Sequence, residues 1–159
     1  MTTGQRKQIW DSMLDADLSA CYWRRLIKLY QRCNFGIKIA LLCFSSAAVA
    51  DFMGWLNAEW LSKILPLLLT GLSIAPFVLN FSDRIEKMTE LVGKWTALMH
   101  SCENLWCALP QASSDAVISQ LYGLQERHAE LSRSESGLPD SIDSVKKLAA
   151  REVCRSRGL

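Results

Sequence analysis

The residue types best suited to nucleophilic or metal chemistry in this 159-residue chain are two histidines and six cysteines. His100 stands close to Cys102 and Cys107, and a thiol beside an imidazole is the core of an activated cysteine nucleophile. On a helix, however, positions 100 and 102 point to different sides. His128 lies on another predicted helix. Partly exposed histidines on packed helices are the simpler reading, since catalysis needs groups that converge on one point. Metal binding has equally little support. There is no His-x-x-x-His, no Cys-x-x-Cys and no paired carboxylate–histidine motif, and the glycines are too dispersed to cradle a phosphate. The expectation is a protein that is not an enzyme and holds no metal or cofactor. The cysteines, at 21, 33, 43, 102, 107 and 154, lack the spacing of a secreted disulfide scaffold. They read as reduced, small hydrophobic fillers.

A second kind of chemistry belongs to polar groups set in apolar surroundings. Lys38 and Asp51 flank a run, 39–50, that carries no charge. An ionisable residue inside a membrane span points to function, but near a span end it can reach the headgroups instead. In an oligomer built around a pore, Asp51 would ring the outer mouth. Ser45, Ser46, Thr70, Ser73 and Asn80 could line a polar path or join helices by hydrogen bonds. Arg24, Arg25, Lys28 and Arg32 form a basic cluster just before the same run. They are either a topology signal or a site for anionic lipid headgroups.

The elements that must position these residues are helices. Residues 5–34 place Trp10, Leu14, Leu18, Tyr22, Leu26, Leu29 and Cys33 at three- and four-residue steps, which predicts an amphipathic helix. Between Ile39 and Ser82 only Asp51, Glu59 and Lys63 are charged. Two apolar runs of roughly 18 residues, each spanning ~27 Å as a helix, match the hydrocarbon thickness of a bilayer. Trp55 and Trp60 bracket the turn between them, where interfacial aromatics sit. This predicts a transmembrane hairpin. Pro66 falls in the first turn of the second span, and Pro76 lies deeper, where it would kink the helix. The basic residues flank the hairpin on one side, so both termini are expected in the cytoplasm. The polar start, 1–17, is not a signal peptide.

Residues 81–109 predict a second long amphipathic helix, with Ile85, Met88, Leu91, Trp95, Leu98, Cys102 and Leu105 on its stripe. Pro110 ends it, and Ser113 with Ser114 and Asp115 supplies the cap of a third. That third helix runs to about Arg133, with Leu121, His128 and Leu131 on one face. A break at 134–139 precedes a last short helix, started by Asp140 and Asp143 and striped by Val145, Leu148, Ala149 and Val153. The expected fold is an all-α membrane protein in three parts. These are an N-terminal cytoplasmic helix at 1–34, a transmembrane hairpin at 35–81 and a C-terminal cytoplasmic helical region at 82–159.

The run YWRRLIKLYQRCNFGIKIALLCFS, the hairpin, and the helix FSDRIEKMTELVGKWTALMHSCENLWCAL together resemble the SLATT-type two-transmembrane domains of bacteria. The likeness covers residues 10–110 and is architectural; no catalytic motif carries it. It implies an effector of bacterial conflict systems that assembles and breaches the inner membrane when a partner senses infection. Trp95, Leu98, Cys102, Leu105 and Trp106 would then pack helices or hold copies together. The partners would be membrane lipids, further copies of the chain and a separate sensor protein. Nucleic acid is not expected, because the net charge is only +2. Two other classes stay open: a non-pore membrane anchor, scaffold or phage exclusion factor that binds another membrane protein, and a soluble helical bundle. The mean hydropathy of +0.08 requires that any membrane part be balanced by long polar elements.

Overall fold

The computed structural model describes residues 3–44, 67, 70, 71, 73, 74, 80–110, 113–138 and 142–158. The described residues are all-helical, without a strand. Helix α1 spans Thr3–Phe44, α2 Phe81–Ala108, α3 Ser114–Ser134 and α4 Asp143–Arg157, with a single 3-10 turn at Glu135–Gly137 after α3. Among the described residues no helix is long and apolar enough to cross a membrane. Most of the expected hairpin, including Ser45, Ser46, Asp51, Pro66 and Pro76, lies outside them.

Local chemistry accounts for the element ends. No proline interrupts α1, which runs unbroken through Gly36. Pro110 follows α2 closely, and the last turn tightens so that the Leu109 N–H donates to the Trp106 carbonyl at 3.4 Å. Ser113 caps α3 as expected, its hydroxyl accepting the Ala116 N–H at 3.4 Å. Asp115 in the first turn and Arg133 in the last suit the helix dipole. The start of α4 differs from expectation. Its N-cap position is Ile142, which no side chain caps; Asp143 is the first helical residue, and Asp140 lies outside the described residues. The Tyr22 hydroxyl, brought in from α1, accepts the Ile142 N–H at 3.2 Å instead. Gly158 closes α4 in the left-handed region at φ 70, which glycine adopts without strain.

The chain divides into two compact units, Met1–Ile27 with Glu86–Leu159, and Lys28–Ile85. In the first, four helices share one core. From α2 come Met88, Leu91, Trp95, Leu98, Cys102 and Leu105, all buried and all on the stripe expected from spacing, whose first member, Ile85, is only half-buried. From α1 come Ile9, Met13, Ala16, Ala20, Trp23 and Leu26. That face only partly matches the one read off the large residues: Tyr22 and Leu26 are buried as expected, but Leu14 and Leu18 sit at its edge and Leu29 is exposed. Alanines let the helices approach closely, so a stripe centred on leucines misplaces the seam. Val117, Leu121 and Leu124 of α3 and Ala149 and Val153 of α4 complete the core. Burying each large aliphatic side chain contributes roughly 1.5–3 kcal/mol. Leu148, expected on the α4 stripe, is 46% exposed.

In the second unit, the Tyr30 ring of α1 meets Phe81 edge-on at 5.7 Å. Asn80 sits in a turn with φ 46, a conformation asparagine tolerates, and its carbonyl accepts the Arg84 N–H at 3.2 Å to start α2. Phe35, Ile39 and Leu42 on α1 are exposed.

Candidate functional site

Polar side chains in the first unit converge on Glu135, in the 3-10 turn. Its Oε1 accepts the indole N–H of Trp23 at 2.7 Å and that of Trp95 at 2.8 Å. Both rings are buried, and an indole N–H can only donate, so each needs an acceptor inside the bundle. One carboxylate oxygen therefore joins α1 to α2. The turn that presents it is held by the Ser134 hydroxyl, which donates to the Leu131 carbonyl at 2.7 Å. A groove of about 360 Å³ opens beside this junction, lined by Asp15, Leu18, Tyr22, Trp23, Glu135 and Lys146 among others.

His128 lies against the same junction, its ring edge-on to Trp95 at 5.1 Å. Its Nε2 is 2.7 Å from Asp15 Oδ2. A histidine oriented by an aspartate is half of a hydrolytic triad; here the pair joins α3 to α1 at the rim of the bundle. His100 and Cys102 do face different ways: His100 is exposed and held by Glu103, while Cys102 is fully buried. Among the described residues no group of three or more His, Cys, Asp or Glu is placed to hold a metal ion.

Helix α4 is fastened by charge at its middle and its C-terminal end. Near its middle, Glu152 Oε2 accepts from Arg25 Nε at 2.8 Å and from the Cys21 thiol at 3.2 Å. Burial, then the hydrogen bond to Glu152, pushes the Cys21 thiol above its ordinary value. At its C-terminal end, Arg157 donates to Asp17 at 3.1 Å and pairs with Glu103 at 2.9 Å. Glu103 also meets His100 at 3.1 Å. The Arg157 hydrogen bond, then that from His100, holds the Glu103 carboxyl below its usual range.

The residues singled out by sequence separate into distinct places. Arg24, Lys28, Arg32 and Lys38 are exposed, whereas Arg25 is engaged by Glu152 and so differs from its neighbours. Trp95, Leu98, Cys102 and Leu105 pack inside the chain's own core. Trp106 is partly exposed and lies on Trp10 with ring centroids 5.7 Å apart. Thr70 and Ser73 are helical and exposed, the Ser73 hydroxyl donating to the Thr70 carbonyl at 3.1 Å. Asn80 occupies its turn. Of the cysteines, Cys21 and Cys102 are buried fillers, but Cys33, Cys43, Cys107 and Cys154 are exposed thiols. The Glu135 junction went unforeseen. Its one signal is a pair of tryptophans at buried stripe positions, which must find acceptors somewhere.

No protein-family model, curated protein or solved structure matches this chain.

Proposed function

We propose that this chain is a membrane-anchored helical protein that acts as an oligomeric effector at the bacterial inner membrane. Residues 39–80 would insert as a hairpin, and the four-helix unit would stand on the cytoplasmic side. The observation that carries the anchor is the outer face of α1 near its end. Phe35 is 67% exposed and Leu42 68%, with Ile39 between them at 43%. They lead along the chain into a stretch whose only charges are Asp51, Glu59 and Lys63. Water is a poor solvent for such a face and hydrocarbon a good one. The effector role rests on the resemblance to SLATT-type domains, with a separate protein as sensor and disruption of the bilayer as outcome.

The test has two stages. Expressed protein should pellet with membranes, resist high salt and alkaline wash, and dissolve only in detergent. Recovery in the detergent-free supernatant overturns the anchor. Reconstituted into dye-loaded vesicles and activated, it should release dye; insertion without release overturns the permeabilising role.

One observation favours the non-pore alternative, an anchor or scaffold for another membrane protein. The stripe expected to hold copies together, Trp95, Leu98, Cys102 and Leu105, is already covered by the chain's own helices. A stoichiometric partner co-purifying while membrane potential stays intact supports that reading.

A further inference from the structure

On α1, positions 28, 32, 35, 39 and 42 follow one another by four, three, four and three residues, so they form a single row along one side of the helix. Every side chain in the row is exposed. The row is divided along the axis rather than around it. Its first turns carry Lys28 and Arg32; its later turns carry Phe35, Ile39 and Leu42. The helix rises about 10 Å from Lys28 to Phe35 and about 5 Å from Arg32 to Phe35, so the two cations fall within and just outside a headgroup layer of roughly 5–8 Å on one side of a bilayer. No acidic residue lies between Asp17 and Asp51, so nothing nearby in sequence neutralises the two cations. Arg25 is different, since Glu152 takes its charge.

We infer that Lys28 and Arg32 form a binding surface for the anionic headgroups of a phospholipid bilayer, at the depth set by the apolar turns that follow them. The inference rests on the membrane anchor proposed above and adds its lipid preference. Phe35, Ile39 and Leu42 enter the acyl region, which holds Lys28 and Arg32 at the level of the phosphates. Both side chains are long enough to adjust their reach. Charge complementarity selects the occupant: a cationic band adjoining an apolar band fits an anionic bilayer surface. Arg25 contributes nothing to the preference.

Flotation of the full chain with vesicles tests this. Phosphatidylcholine vesicles are compared with vesicles that also contain phosphatidylglycerol. The unaltered chain is expected to bind the anionic vesicles more tightly, and K28Q/R32Q to lose roughly tenfold or more of that advantage while still binding neutral vesicles. A control, K147Q/R151Q, removes the same charge at the same spacing from exposed positions on α4 and is expected to keep the preference. Equal binding to both vesicles, or equal loss in the control, overturns the headgroup surface and leaves the anchor standing. Binding to neither vesicle overturns the anchor and the surface with it.

Discussion

Glu135 shows how a single carboxylate can decide the fate of two buried rings. Replacing it by alanine leaves the Trp23 and Trp95 N–H groups without their acceptor, at a cost of about 1–3 kcal/mol for each buried donor left unpaired. Glutamine keeps an acceptor oxygen and should cost less than half as much. Urea titrations followed by tryptophan fluorescence distinguish the two; equal loss in both variants would mean that the charge matters and the hydrogen bonds do not. Glu103 makes a smaller, pH-dependent contribution. Arg157, then His100, lowers its carboxyl below the ordinary 4.5, so the unfolded chain takes up the proton first as pH falls. The stabilisation is complete above 4.5 and disappears as pH drops through the lowered value. Because the side chain is 34% exposed, the effect is about 0.5 kcal/mol. In thermal melts, E103Q should be less stable than the unaltered chain at neutral pH and converge on it in acid.

At the scale of elements, the seam of α1 is the sharpest lesson. Ala16 is fully buried between helices, so A16L should destabilise by about 1–3 kcal/mol through overpacking. Leu29, on the stripe suggested by spacing, is 41% exposed, and L29A should cost well under 1 kcal/mol. Chemical denaturation of both variants checks the order, and a larger loss for L29A would contradict it. The contrast explains what was legible. Helix α2 could be read closely from its sequence because its core positions are large apolar residues at helical steps. The core of α1 leans on Ala16 and Ala20, whose hydropathy barely distinguishes inside from outside. The α4 start was read as an aspartate cap, whereas no side chain caps it and the N–H of the flanking Ile142 is served by Tyr22 from far upstream. No local pattern can specify that, nor the meeting of Trp23, Trp95 and Glu135, because each joins residues more than 39 positions apart. The axial order of charge and apolar side chains on α1 was present in the sequence, but only the exposure of every member turns it into a surface.

For the whole molecule, the division into two units gives a direct test. Among the described residues, the unit formed by Met1–Ile27 and Glu86–Leu159 contains nearly all of the buried core. Replacing residues 39–80 by a flexible glycine–serine linker should therefore leave a cooperatively folding helical bundle that no longer pellets with membranes. Circular dichroism melts and fractionation measure the two halves of that expectation. Loss of cooperative unfolding would show that the bundle depends on the excised segment, and continued membrane binding would place the anchor elsewhere.

The Tyr22, Trp23 and Arg25 contacts with Ile142, Glu135 and Glu152 also set a timetable. Their partners lie 120, 112 and 127 residues downstream. While the chain is being made, N-terminal segments appear first, and contacts between distant residues wait for the later partner. The charge-poor segment has then already emerged, before α4 is made. On the anchored reading, the protein enters the bilayer as an open chain and closes its cytoplasmic half only once α4 has emerged.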